Sequence, residues 1–189
     1  MEANFVVAFI HLRPWIGNVK STRGGSLRIK QVHNESDITR EVVSDIRYGI
    51  NDSNIDSEYV KDRTIEEICR KIGFGVSDFI LWEGYRKKLT VTGLRDEIGL
   101  MVWFGNKQTA YRHFISLQIM FNRGLIKSAI YISPTEDEVL LRNEERAKSK
   151  GKEPLPGNQN YSSSEDVYFL LESVKEAITV PITIIGIER

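Results

Sequence analysis

The chain of 189 residues is poor in several features on which common chemistries depend. It has one cysteine, Cys69, so no disulfide can close within it and no thiolate cluster can hold zinc. Cys69 falls among Ile65, Ile68 and Ile72 and reads as a small core residue. The three histidines, His11, His33 and His113, are far apart and form no HExxH-like ligand spacing. Gly24-Gly25 and Gly73-Phe74-Gly75 lack the strand-to-helix setting of a phosphate-cradling loop, so no nucleotide cofactor is expected. A Gly-x-Ser-x-Gly elbow is missing too, which argues against acyl transfer. No run approaches the roughly 18 uninterrupted apolar residues of a membrane helix. The N-terminus has no basic-then-apolar leader layout, and a soluble cytoplasmic protein is expected.

Net charge is also lacking: 26 basic residues balance 26 acidic ones, so the chain as a whole does not advertise a polyanion partner. What is there is a composition, 41% hydrophobic and 28% charged, ordinary for one domain with a core of its own. The charge is unevenly placed. Arg13, Lys20, Arg23, Arg28 and Lys30 lie in an early stretch without acids, and an acid-rich stretch follows from Glu35 to Asp62. The basic segment, with Trp15 and Gly24-Gly25, either touches phosphates, where its cations would release condensed counterions, or is a solvated hairpin. The residues alone leave both readings open.

Periodicity supplies the elements. Residues 4–12 are a short apolar run compatible with strand or helix. Ile38, Val42 and Ile46 recur at fours after Asn34 and predict a helix that Gly49 ends. Thr64 with Glu67 reads as a capping box opening a helix that buries Ile65, Ile68, Cys69 and Ile72 and stops at Gly73. Strand-like segments at 78–85, 88–91 and 97–104, with turn chemistry at Glu83-Gly84 and Thr92-Gly93, predict an antiparallel meander. A helix over 107–123 and a strand over 125–133 follow, and that crossover requires strands 97–104 and 125–133 to be parallel. After Pro134, Thr135-Glu-Asp-Glu opens a helix, 148–160 is a polar loop, and Ser162 with Glu165 caps a last helix before a closing strand at 180–187. The expectation is one α+β domain over 1–189, a mixed sheet flanked by helices, with its core at 62–189 and an elaboration at 1–61.

That order of elements matches the common core of the PD-(D/E)XK nucleases, and two segments sharpen the likeness. Leu-Arg-Asp-Glu-Ile-Gly-Leu-Met-Val-Trp-Phe-Gly-Asn (94–106) resembles the active-site strand of type II restriction endonucleases of the BglII/BstYI kind, where Glu-Val-Gln-Phe-Gly-Lys follows a basic-Asp pair and several apolar residues. Thr-Val-Pro-Ile-Thr-Ile-Ile-Gly-Ile (179–187) resembles their C-terminal strand. Asn-Tyr-Ser-Ser-Ser-Glu-Asp-Val-Tyr (160–168) is similar to the tyrosine-bearing segment before their last helix. The likeness covers about Thr92 to Arg189.

The resemblance implies a Mg²⁺-dependent phosphodiester hydrolase that works as a homodimer on a short palindrome in double-stranded DNA. Such chemistry needs an aspartate and a glutamate a few ångströms apart, because hard cations take oxygen ligands. Carried over residue by residue, the family's metal-binding Glu falls on Met101, its accompanying Gln on Trp103 and its upstream Asp on Thr92. None of the three keeps the chemical group, and a methionine thioether is too soft a donor to replace a carboxylate. No catalytic or metal-binding residue is therefore assigned, and no cofactor is expected unless the chain cuts with Mg²⁺. Strand alternation puts Glu97, Gly99, Met101 and Trp103 on one face and Ile98, Leu100, Val102 and Phe104 on the other.

The leading reading is a double-stranded-DNA-binding protein on a restriction-endonuclease scaffold with lost or impaired cleavage. An active endonuclease with relocated carboxylates, Glu97 with Asp78, Glu83 or Asp96, is the alternative. A second alternative is an interaction subunit that binds no nucleic acid. The expected DNA contacts are Arg23, Arg28, Lys30, Lys107 and Arg112, and the basic run Lys148 to Lys152 is a further, weaker candidate.

Overall fold

Eleven elements are seen in the computed structural model, which describes residues 27–53, 61–79, 89–153 and 161–189, the side chains of 76–79, 89 and 90 excepted. They are β1 (Arg28–His33), α1 (Asp37–Asp52), α2 (Asp62–Lys71), β2 (Gly75–Phe79), β3 (Leu89–Arg95), β4 (Ile98–Val102), α3 (Gln108–Asn122), β5 (Ser128–Pro134), α4 (Glu136–Ser149), α5 (Ser164–Ser173) and β6 (Ile182–Glu188). The strands form one mixed sheet in the order β1-β6-β5-β4-β3-β2. β4, β5 and β6 run parallel, and the outer pairs are antiparallel. The antiparallel order of the expected meander and the expected parallel pairing of the strands flanking α3 are present, with β2 at Gly75–Phe79 rather than 78–85; the expected turn at Glu83-Gly84 lies outside the described residues.

Apolar residues on both pleats of the central strands make this a two-sided sheet. Every residue of β4, β5 and β6 is buried. Ile98, Leu100, Val102 and Phe104 join the core under α1 and α2 with Val42, Ile46, Ile65 and Ile68. Met101, Tyr131 and Ile184 join a second core with Phe114 and Leu117 of α3 and Val167 and Leu171 of α5. Each fully buried aliphatic side chain contributes about 1.5 to 3 kcal/mol through removal from water.

Several local expectations shift, each for a visible reason. Gly49 does not end α1; it sits within it, where a Cβ would stand 3.0 Å from Ile68 Cγ2, so the missing side chain lets α2 pack closely. Ile38 is exposed, and the buried face of α1 runs through Thr39, Val42, Val43, Ile46 and Ile50. Helix α2 begins at Asp62 after Lys61, with no side-chain cap, so the Thr64–Glu67 box does not form. The last helix is capped one residue later than expected, by Ser163 and Asp166, while the Ser162 N–H donates to the Gly105 carbonyl.

The turn expected at Thr92-Gly93 lies inside β3 instead. A Cβ on Gly93 would meet Phe74 Cβ at 2.9 Å, so this glycine serves close packing. The chain reverses at Asp96 and Glu97, both at positive φ (50° and 61°), the left-handed geometry of a two-residue hairpin turn. β1, read from sequence as part of a possible hairpin, is an edge strand paired with β6. The apolar run at 4–12 lies outside the described residues.

Candidate functional site

The segment that carries the likeness lies in the middle of the sheet. Extending the β3–β4 register by one pair from Gly93↔Leu100 sets Thr92 opposite Met101, and Met101 pairs on its other side with Tyr131 of β5. Directly opposed residues of an antiparallel pair have Cβ atoms about 5 Å apart. The two positions to which the family's acids were carried thus face one another. Thr92 Oγ1 accepts the Val102 N–H at 2.9 Å and reaches Met101 Sδ at 4.0 Å. Met101 is 4% exposed and packed among Val91, Phe114 and Tyr131.

Beside this row lie Trp103 and His113, with His113 against Tyr131. Gly105 permits the Trp103 ring to fold back, since a Cβ there would stand 2.5 Å from its Cζ2, and the indole N–H donates to the Asn106 carbonyl at 3.1 Å. The ring meets His113 edge-on at 5.0 Å between centroids. His113 Nδ1 lies 2.9 Å from the Tyr131 hydroxyl. Burial, aided by the neighbouring Arg112 charge, lowers the His113 pKa to about 4, so the imidazole is neutral at pH 7. Burial also pushes the Tyr131 phenol well above its ordinary value and keeps it protonated.

This donor set does not fit Mg²⁺. A hydroxyl, a thioether, a phenol and an imidazole face the position, and a hard divalent cation takes carboxylate and carbonyl oxygens. Among the described residues no three His, Cys, Asp or Glu side chains come together as a metal cluster. Glu97 precedes β4, whose regular alternation begins at Ile98. It sits in the turn, bound to Lys127, about 13 Å along the strand from Met101 at 3.3 Å per residue. Asp96 occupies the same turn and pairs with Arg95 at 3.2 Å. Asp78 lies in β2 with its backbone opposite Thr90, but its side chain and all of Glu83 fall outside the described residues.

The expected DNA contacts separate into three groups. Arg23 lies outside the described residues. Arg28 and Lys30, on edge strand β1, are bound to Glu188 at 2.7 and 3.2 Å. Burial raises the pKa of the Glu188 carboxyl, but the hydrogen bonds and charges of these two cations outweigh it and hold the group below its ordinary value. Since β1 is three strands from β4, they lie roughly 14 Å across the sheet from the Met101 row. Lys107, at the cap of α3, is bound to Asp166 at 2.9 Å and so ties the start of α3 to the start of α5. Arg112 is exposed on α3 and has no ion pair among the described residues.

Sequence reasoning missed the histidine–tyrosine pair. His113 and Tyr131 are 18 positions apart and meet only because α3 packs on β5. It also missed how the 160–168 segment is held: Tyr161 bridges Asn106, and Ser133 Oγ donates to the carbonyls of Trp103 and Ser162. The glycine of Ile-Gly-Ile has a packing reason. A Cβ on Gly186 would stand 2.5 Å from Ser164 Oγ and 2.6 Å from Gln31 Cγ, so β1 and α5 close over it.

No curated protein matches the chain. Among solved structures, it is similar to the crystal structure of restriction endonuclease BglII complexed with a DNA 16-mer, with a TM-score of 0.58 at 12% identity. The match covers 85% of this chain and 75% of that one, and at this identity it establishes a shared fold. The family model for restriction endonuclease BglII/BglIII matches residues 17–187, nearly the whole chain. On that match, the chain belongs to the BglII/BglIII restriction endonuclease family.

Proposed function

We propose that the protein binds double-stranded DNA on a restriction-endonuclease scaffold and cuts it weakly or not at all, acting as a homodimer in the cytoplasm. The observation that carries this reading is the Thr92–Met101 pair: two opposed positions in the core of the sheet, both without a carboxylate. Family membership supports the DNA partner, as does the DNA bound in the solved BglII structure. A two-fold symmetric dimer suits a palindromic duplex, in which two identical half-sites meet two identical protomers. No helix among the described residues is long and apolar enough to cross a membrane.

DNA affinity here rests on cations at the carboxyl ends of β4, β5 and β6. Arg112 and Lys107 stand at the start of α3, and Arg28 and Lys30 stand beside Glu188 at the end of β6. Lys107, Arg28 and Lys30 must share their charge with carboxylates, which leaves Arg112 as the strongest single phosphate contact of the four described residues read from sequence.

Mobility-shift titrations of duplex DNA at two salt concentrations test the reading. The expected result is a shift that weakens steeply with salt. A chain that shifts no duplex at low salt would be an interaction subunit, and the DNA reading would fall. The alternative endonuclease with relocated carboxylates requires Glu97 to work from the hairpin turn with Asp78, Glu83 or Asp96, so Glu97→Gln should then abolish metal-dependent cutting.

A further inference from the structure

At the same carboxyl ends of β4 and β5, on the face of the sheet turned away from Met101, lies a pocket of about 300 Å³. Its apolar floor is Phe104, Pro134 and Val139, and Arg142, Arg146 and Tyr161 contribute to its walls. Phe104 follows Trp103 directly, and Tyr161 is bridged to Asn106, so the pocket and the Met101 row flank one strand end.

The two arginines are in different electrostatic states. The Arg142 guanidinium lies 4.8 Å over the Phe104 ring and its Nε donates to Glu138 at 2.8 Å. Glu138 is buried and also binds Arg189, so Arg142 is a fixed planar surface whose charge is matched. Arg146 donates to the Tyr161 hydroxyl, a neutral acceptor, and has no carboxylate partner among the described residues. Beyond it Lys148, Lys150 and Lys152 are exposed, with no ion pair among the described residues. Of the nearby acids on α4, Glu145 is engaged with Arg189, leaving Glu144 against this run.

An apolar floor beside a flat guanidinium and a phenol accepts a planar ring system, because arginine and tyrosine both stack. An unneutralised arginine leading to a lysine run accepts phosphate. The volume is at the small end for ligand sites and admits one nucleotide rather than two. We propose that this pocket holds a single nucleoside phosphate, with the base against Phe104, Arg142 and Tyr161 and the phosphate at Arg146. The nucleotide comes either from solution or from bound DNA, turned out of the stack. Only the second source rests on the DNA-binding reading above.

The probe is 2-aminopurine deoxyriboside 5′-monophosphate, whose fluorescence falls on stacking, titrated into the full chain. Saturable quenching is expected, at least tenfold weaker for the nucleoside without phosphate and for Arg146→Ala. Ser149→Trp, at an exposed position on the pocket wall, is expected to abolish it. Unchanged circular dichroism and melting confirm that both variants fold. A second arm uses a duplex with 2-aminopurine opposite an abasic site, with mobility shift recorded on the same samples. A fluorescence change that Ser149→Trp removes while the duplex still shifts identifies DNA as the source. A response to the free nucleotide alone identifies the solution source, and it stands even if no duplex shifts. Absence of any response in either arm that Ser149→Trp removes overturns the proposal.

Discussion

If Thr92 and Met101 occupy a vacated metal site, restoring carboxylates there should produce a protein that is unstable alone and regains stability with a divalent cation. Met101 is 4% exposed and directly opposes Thr92, so Thr92→Asp with Met101→Glu places two carboxylates on neighbouring strands whose Cβ atoms are about 5 Å apart. An uncompensated buried charge costs about 3 to 5 kcal/mol at pH 7. Burial and mutual repulsion both raise these acids' pKa values, so the penalty is present above the usual carboxylate range and recedes as pH falls toward 5. A hydrated Mg²⁺ bridging the pair with a dissociation constant of about 1 mM would return about 1.4 kcal/mol at 10 mM ion. For a chain of this size that is a rise in melting temperature of about 3 to 6 °C. Thermal melts of the wild type, both single variants and the double variant, each with Mg²⁺ or EDTA, measure it. An equal Mg²⁺ response in the wild type, or no response in the double variant, would refute the assignment of these positions.

Three further outcomes follow from other parts of the structure. His113, with its pKa lowered to about 4 by burial and Arg112, refuses a proton that the unfolded chain accepts below its ordinary 6.5; stability should therefore fall as pH drops through that window, by at most about 2 kcal/mol down to pH 5 and less given its partial exposure. Denaturant titrations of His113→Gln should lack this component, and identical losses in both proteins would contradict it. Asp96→Gly, at φ 50° in the hairpin turn, where the exposed Asp96 side chain pairs with Arg95 alone among the described residues, should raise stability by about 0.5 to 1 kcal/mol, and a lower melting temperature would count against the turn geometry. Arg112→Ala should reduce the slope of log affinity against log salt by about 1, and the triple replacement of Arg23, Arg28 and Lys30 by alanine should flatten it further; an unchanged slope removes the residue or segment concerned from the interface.

The architecture was legible where sequence patterns are dictated by nearest neighbours on a face. The alternation through Ile98 to Phe104 separates the two cores as the residues suggest, and the helix between β4 and β5 forces their parallel pairing. Boundaries were less legible where one residue type serves two purposes. Gly49 and Gly93 look like a stop and a turn but are places of close packing against Ile68 and Phe74. Asp96 and Glu97 look like strand-end acids, yet they adopt the left-handed turn that joins β3 to β4. β1 was hidden because its apolar residues are few and its cations are held by Glu188, 160 positions away from Arg28. At the candidate site, the residues at 92 and 101 were readable as positions without carboxylates. The His113–Tyr131 pair beside Trp103 depends on a helix-to-strand contact that no local pattern encodes.

The most direct measurement incubates the purified wild-type chain with plasmid DNA in Mg²⁺ or Mn²⁺, with binding followed by mobility shift in the same buffer. A retarded but intact plasmid, unchanged by either metal, is the predicted result. Discrete fragments that need the metal and vanish with EDTA would contradict the account.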